Sequence, residues 1–313
     1  MDVVLLFPGQ GSQKPGMGKD LAKAFPAAKD VFDHVDDAVG ASISTLCFEG
    51  PADDLTETHN AQPALLAHGA AVWAVTREAL SGKVVAAAGH SLGEHTAHHA
   101  AGSTSLQDAA RLVRRRGQLM SEAGVIRPGA MAAIIGKLDD SIESLCELAG
   151  RSGGLVVPAN MNTSEQIVVS GEVKGVERLM ELAKQNGAKR ALRLPVSGAF
   201  HSPLMEPAAN GFREAVEATI FSEPDFPVYS NVTEDVCNSA DEARELLVKQ
   251  LTSPVKWAGE IACIAKRFPD ALFVEMGPGS VLTGLLSRIA PSARGMSCGT
   301  PADVEKLIAQ VSL

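Results

Sequence analysis

Residues 84–97 read VVAAAGHSLGEHTA. The small apolar run from Val84 to Ala88 predicts a buried strand, and the stretch from Leu92 onward suits a helix. Between them stands Gly89-His90-Ser91-Leu92-Gly93, which fits the pattern G-x-S-x-G. On a sharp strand-to-helix turn, the two glycines let strand and helix approach closely and the serine is pushed outward. The backbone N–H of Leu92, at the helix start, then points at the place where an oxyanion would form. The plainer reading is a tight turn that happens to hold a serine. Placement between a strand and a helix favours the nucleophile.

Working outward, Val3 to Phe7 predicts another buried strand, ended by Pro8-Gly9 and followed by the loop Gln10-Gly11-Ser12-Gln13. The loop lacks the Gly-Lys-Ser/Thr ending of a P-loop and the third glycine of G-x-G-x-x-G, so it does not indicate a nucleotide site. The N–H of Gln10 as a second oxyanion donor is the better use. Helices are predicted over 18–25, 27–39, 62–80 and 106–123, and the texture changes at Arg127-Pro128-Gly129. A strand over 130–135, a helix over 141–149, strands over 155–160 and 166–170, a helix over 173–186 and a strand over 190–195 follow. That β-α-β-β-α-β order is the ferredoxin-like one. The larger pattern then resumes with helices over 207–218, 240–251 and 255–266, strands over 227–230 and 272–275, and a final helix over 281–289. The expected fold is α/β: a large domain with a mainly parallel sheet over 1–126 and 198–313, and a small α+β insert over 127–197.

Hydrophobic residues make up 45% of the 313 positions and charged residues 21%, values of an ordinary soluble globular chain. A net charge of −9 opposes a surface built to grip nucleic acid. Two local basic groups remain: Arg111, Arg114, Arg115 and Arg116, and Lys184, Lys189, Arg190 and Arg193. Solvated helix faces are their default reading and partner docking the alternative. Cys47, Cys146, Cys237, Cys263 and Cys298 form no C-x-x-C pair, so neither a disulfide framework nor a metal site is expected from spacing, and reduced thiols fit a cytoplasm. The first residues lack the marks of a signal peptide, and no run approaches the ~20 apolar residues that a membrane span needs.

A nucleophilic serine needs a base. His90 adjoins it, where neighbouring side chains point apart; His95, His98 and His99 lie on the following helix; His34, His59 and His68 precede the turn. His201 differs, because it stands in Pro195-Val196-Ser197-Gly198-Ala199-Phe200-His201-Ser202, where the insert returns to the large domain. From that loop it can lean over the serine; a surface loop histidine is the bland alternative. Arg116 can grip a carboxylate through two parallel bonds, although an arginine in such a run is by default solvated.

Taken together, Phe7–Gln13, Gly89–Glu94, Arg116-Gly117, Gly198–Ser202 and Glu275-Met276-Gly277-Pro278-Gly279 occur in the order of the malonyl-CoA:acyl carrier protein transacylases, and the chain resembles that family from Leu5 to about Ile289. The resemblance implies an α/β-hydrolase-like domain with a ferredoxin-like insertion. It implies Ser91 as the acylated nucleophile, His201 as its base, the N–H groups of Gln10 and Leu92 as the oxyanion hole, and Arg116 as the partner of the malonyl carboxylate. Gln250 matches the residue whose main-chain carbonyl orients the histidine. Phe200 matches a position where a phenylalanine accompanies malonyl preference, and His90, Asn160 and Asn231 match positions near the site. The implied reaction is ping-pong, with malonyl-CoA as donor, no permanently bound cofactor, and an acidic, phosphopantetheinylated acyl carrier protein as acceptor. A monomer is the default oligomeric state. The implied role is fatty acid biosynthesis, with trans-acting service to a polyketide synthase as the alternative; an editing hydrolase, which typically lacks the arginine, a non-catalytic docking protein and a plain esterase are weaker options. His95 stands where the family often has Tyr or Phe, and His98 and His99 add polarity to a helix that is usually more apolar.

Overall fold

Strand β1 (Val3–Phe7) is buried along its whole length and divides its side chains between two cores. Val3, Leu5 and Phe7 enter one, Val4 and Leu6 the other. Successive residues of a strand point to opposite faces, and here both faces are covered, so the sequence shows an unbroken apolar run. In the computed structural model, which describes residues 1–196 and 198–312, β1 pairs in parallel with β2 (Val84–Gly89), Phe7 standing opposite Gly89. Ser197, at the expected end of the insert, and Leu313 lie outside the described residues.

Four strands, β3 (Ala130–Ile135), β4 (Val156–Thr163), β5 (Gln166–Gly171) and β6 (Arg190–Arg193), form a separate antiparallel sheet in the order β4-β5-β3-β6. With the helices Ile142–Gly153 and Val173–Gln185 between them, this is the ferredoxin-like order read from the sequence. One face of the sheet packs on those two helices. Its other face sends Met131 and Val168 into a core shared with Leu119 and Met120 of the helix Leu106–Ile126 and with Phe200. Val255 joins the two sheets' territories through a parallel bridge to Asn160. β7 (Leu272–Met276) and β8 (Arg294–Cys298) then complete the parallel sheet in the order β2-β1-β7-β8.

Three expectations need correction. Residues 227–230 form no strand: Tyr229 N–H donates to Ala87 and Ala87 N–H to Pro227, one bridge at the edge of β2, and the chain then turns inward at Asn231. The helix Val281–Ile289 is not the last element, because β8 and the helix Pro301–Val311 follow it. β8 reads RGMSC, a partly exposed edge strand without the apolar run that marks a buried one. The alanine-rich helix runs Thr58–Thr76, starting earlier than its apolar pattern, so that Asn60 and Gln62 are buried inside it.

Candidate active site

The turn after β2 is a place where three backbones meet. A Cβ on Gly89 would stand 1.9 Å from the carbonyl carbon of Gly93, and one on Gly93 would stand 2.0 Å from the oxygen of Phe7. Only glycine allows β1, β2 and the helix Leu92–Ala100 to close up in this way. Ser91 itself has φ 52° and ψ −103°. A non-glycine residue held there costs about 1–3 kcal/mol and persists only where its surroundings fix it. Asn231 supplies much of that hold: its Oδ1 accepts the Ser91 N–H at 2.8 Å, and its Nδ2 donates to the Gly89 carbonyl at 2.8 Å. Gln250 Nε2 donates to the Ser91 carbonyl at 3.1 Å.

His201 reaches the same serine from the other side of the cleft. Its Nε2 lies 2.8 Å from Ser91 Oγ, and its Nδ1 lies 2.9 Å from the main-chain oxygen of Gln250. A carbonyl only accepts, so Nδ1 carries the hydrogen and Nε2 keeps the lone pair that faces the serine hydroxyl. Burial, and after it the nearby Arg116 cation, pushes the His201 pKa down to about 3. The ring is therefore neutral at pH 7 and able to accept a proton.

Arg116 is 1% exposed, unlike the rest of its basic group. Nη1 donates to Gln62 Oε1 at 2.9 Å, and Nη2 donates to Gln250 Oε1 at 2.8 Å and to Ser91 Oγ at 3.1 Å. Burial lowers its pKa to about 10, which leaves it a cation at neutral pH. Its neighbours point elsewhere: Arg111 pairs with Asp108, Arg115 with Glu122, and Arg114 donates to the His59 carbonyl and Asn60 Oδ1. The cluster thus splits into one buried member, Arg116, one half-buried, Arg114, and two exposed, Arg111 and Arg115.

A cleft of about 110 Å³ opens on Ser91, lined by Gln10, His90, Leu92, Arg116, Asn160, Phe200 and His201. Met120, Met131, Leu194 and Val196 add an apolar wall drawn from both sheets' sides. Leu92 is the first residue of its helix, where the helical ladder offers its N–H no acceptor. Gln10 anchors its side chain on Thr58 Oγ1 at 3.3 Å. His90 turns from the serine and places Nε2 2.8 Å from Asn162 Oδ1, beside Trp257. His95 packs against Phe212, His98 stands by Ser103, and His99 bonds the Thr104 carbonyl. His68 holds the Gly299 carbonyl, and His59 faces Glu57.

Three residues near the site escaped the sequence reading, Gln62, Asn162 and Glu260, and Glu94 was read only as the end of the Gly89–Glu94 motif, without a role. Glu94 is fully buried, its Oε2 accepting from Gln250 Nε2 at 2.7 Å and from Asn231 N–H at 3.1 Å, and burial raises its pKa to about 7. Glu260 accepts from Asn231 Nδ2 at 2.8 Å and is likewise raised by burial. A glutamate inside the GHSLGE run and two amides inside an otherwise apolar helix were the available signals. The Glu275–Gly279 motif turns out to be architectural: the Glu275 carboxylate accepts the N–H groups of Leu282 and Thr283 and so caps the next helix. The expectation of no metal site rested on spacing along the chain, whereas in space Glu94, His98 and Cys237 converge.

The sequence profile of the acyl transferase domain matches residues 4–304. The malonyl CoA-acyl carrier protein transacylase of Bacillus subtilis (strain 168) is 45% identical over 98% of this chain and 96% of its own length. A crystal structure of acyl-carrier-protein-S-malonyltransferase from Bartonella henselae superposes with a TM-score of 0.95 at 43% identity, covering 100% of both chains. A malonyl-transacylase solved in complex with a type II PKS acyl-carrier protein superposes with a TM-score of 0.93 at 38% identity, covering 99% of this chain and 100% of that one. Profile, sequence and fold agree along the whole length, and the chain belongs to the acyl transferase family, among its malonyl CoA-acyl carrier protein transacylases.

Proposed function

We propose that this chain moves a malonyl group from malonyl-CoA to the phosphopantetheine thiol of an acyl carrier protein, through a malonyl ester on Ser91. The observation that carries the reading is a convergence on one atom: Ser91 Oγ lies 2.8 Å from His201 Nε2 and 3.1 Å from Arg116 Nη2. A base and a buried cation thus flank the nucleophile.

In the first half-reaction His201 Nε2 takes the serine proton as Oγ attacks the thioester carbonyl carbon. The N–H groups of Gln10 and Leu92 receive the oxyanion, and each such donor contributes on the order of 3 kcal/mol to the transition state. Collapse breaks the carbon–sulfur bond, and the imidazolium returns its proton to the leaving CoA thiolate. In the second half-reaction the carrier thiol gives its proton to His201, its sulfur attacks the ester, and Ser91 recovers its proton. Arg116 pairs with the free carboxylate of the acyl group, which is how the site selects a diacid, and Phe200 crowds a branch at the 2-position. Asn160 lines the cleft and Asn231 holds the turn. No bound cofactor enters any of these steps.

The acidic carrier docks, in this reading, on the exposed group Lys184, Lys189, Arg190 and Arg193, because β6 leads directly into Leu194 and Val196 of the cleft. The insert over 127–197 then acts as the second wall of the cleft. We take the chain as a cytoplasmic monomer serving fatty acid synthesis; no helix among the described residues is long and apolar enough to cross a membrane.

Incubation with labelled malonyl-CoA and acetyl-CoA, followed by peptide mapping, tests the reading. Label from malonyl-CoA on Ser91 that chases onto a carrier protein supports it. Label elsewhere, or label lost only to water, overturns it.

A further inference from the structure

Glu94 uses only one of its carboxylate oxygens. Oε2 is held by Gln250 and Asn231, and the Ser230 hydroxyl also acts on the carboxylate, while Oε1 has no partner in hydrogen-bond geometry among the described residues. One helical turn on, His98 Nε2 is also buried without a partner there. Positions four apart share one face of a helix, so the two face the same space. Cys237, from the segment after Asn231, completes the group, and the three ligand atoms lie within 4.8 Å of one another. Glu94 is 0%, His98 1% and Cys237 3% exposed.

We propose that Glu94, His98 and Cys237 form a buried binding site for a divalent transition metal of the zinc type. The donor set fits that class: imidazole nitrogen, thiolate sulfur and carboxylate oxygen are the zinc ligands, whereas calcium and magnesium want oxygen throughout. The tautomer fits as well. His98 Nδ1 stands 3.4 Å from Ser103 Oγ, and a hydrogen on Nδ1 leaves the Nε2 lone pair for the metal. Gln250 and Asn231 hold the Glu94 carboxylate from outside and so fix its orientation. Charge closes too, since a thiolate and a carboxylate around a dication leave no net charge in a dry interior. Binding expels the Cys237 thiol proton, and the proton of Glu94 where that carboxyl holds one, to solvent. Metal bonds of about 2.0–2.3 Å set ligand atoms about 3.5 Å apart, so side-chain shifts of about 1 Å close the group. None of the three residues lines the cleft on Ser91, so the proposal does not rest on the malonyl-transfer reading.

Cobalt(II) reports on such a site directly. The full chain carrying Cys263→Ser, which removes the exposed thiol, is dialysed against chelator, loaded with cobalt chloride and desalted. The expected result is retention of about one equivalent of metal, with a thiolate-to-cobalt charge-transfer band. Zinc chloride should raise the melting temperature, since it binds only the folded chain. Adding Cys237→Ser or His98→Gln, each checked for native circular dichroism, should abolish retention, and Cys237→Ser should remove the charge-transfer band. A parent chain that retains no metal, or shows no thiolate band, overturns the proposal whatever the variants do. Equal retention in Cys237→Ser overturns it as well.

Discussion

Nη2 of Arg116 stands 3.1 Å from Oγ of Ser91, so the fixed cation and the nucleophile occupy the same buried spot. Any acyl group esterified on Ser91 begins its chain beside that guanidinium. A malonyl carboxylate, two carbons on, meets a partner whose burial has already been compensated by Gln62 and Gln250. Arg116→Ala should therefore lower kcat/KM for malonyl-CoA by ~100-fold or more, since breaking one side of a buried charge pair costs about 2–5 kcal/mol. The same variant should gain relative preference for acetyl-CoA. Arg116→Lys should recover little, because an ammonium cannot copy the two parallel bonds. Competing the two labelled donors measures the ratio, and an Arg116→Ala enzyme that transfers malonyl as well as the parent removes the role assigned here.

The same proximity tunes the base. After burial, the Arg116 charge is the next cause that lowers His201. A cation disfavours the imidazolium, so deleting the cation raises the histidine pKa, and the acid limb of the rate profile follows it upward. The profile of kcat/KM with acetyl-CoA, which needs no arginine, should show its acid limb at higher pH in Arg116→Gln than in the parent. An unmoved limb separates Arg116 from the base and leaves it a carboxylate contact alone.

Much of this site was legible because its parts are short-range. Gly89 to Gly93 carries its own geometry: the glycines are dictated by backbone contact, and the serine's exposure follows from the turn. The β-α-β-β-α-β insert was legible for the same reason, as periodicity and local order suffice to define it. Arg116 was not, because nothing along the chain distinguishes it from Arg115. Only packing against Gln62 and Gln250, far away in sequence, turns one arginine inward. His201 needed the family resemblance, since the choice among eight histidines is a question of tertiary distance. Glu260 stayed hidden, and Glu94 visible only as part of a motif, because the burial of a carboxyl is set by the distant groups that face it, here the backbone and side chain of Asn231.

The close approach at the turn makes a mechanical prediction. A methyl group on Gly89 would stand 1.9 Å from a backbone carbon, where no flexible side chain can give way. Gly89→Ala should destabilise the fold by about 3 kcal/mol, the upper end for overpacking, and should displace Ser91 from His201. Gly284→Ala, at a helical glycine with nothing within 4 Å of the added atom, is the matched control and should be neutral or slightly stabilising. Urea denaturation of the two variants beside the parent decides, and equal midpoints would show that the turn has slack.

Acid should unfold this protein early, because its interior holds histidines that cannot charge. Burial lowers His68 to about 4 and His201 to about 3, and it lowers His90, His95, His98 and His99 as well. In the unfolded chain each returns to 6.5. Between pH 6.5 and about 4 the unfolded state therefore binds protons that the native state refuses, and stability falls as pH falls through that window. Glu94, raised to about 7, and Glu260, also raised, act in the opposite sense: the native state keeps protons that the unfolded state releases above 4.5. Two carboxyls do not cancel six imidazoles. Each uncancelled proton is worth about 1.4 kcal/mol per pH unit, so several kcal/mol should disappear between about pH 6.5 and 5. Urea midpoints measured at intervals across that range, with a chelator present, give the slope. His68→Gln should make it shallower by about one proton, because among the described residues that ring bonds the Gly299 carbonyl through Nε2 and leaves Nδ1 without a partner. A flat dependence would mean that the buried rings find water or partners on protonation, and that the interior is wetter than its packing indicates.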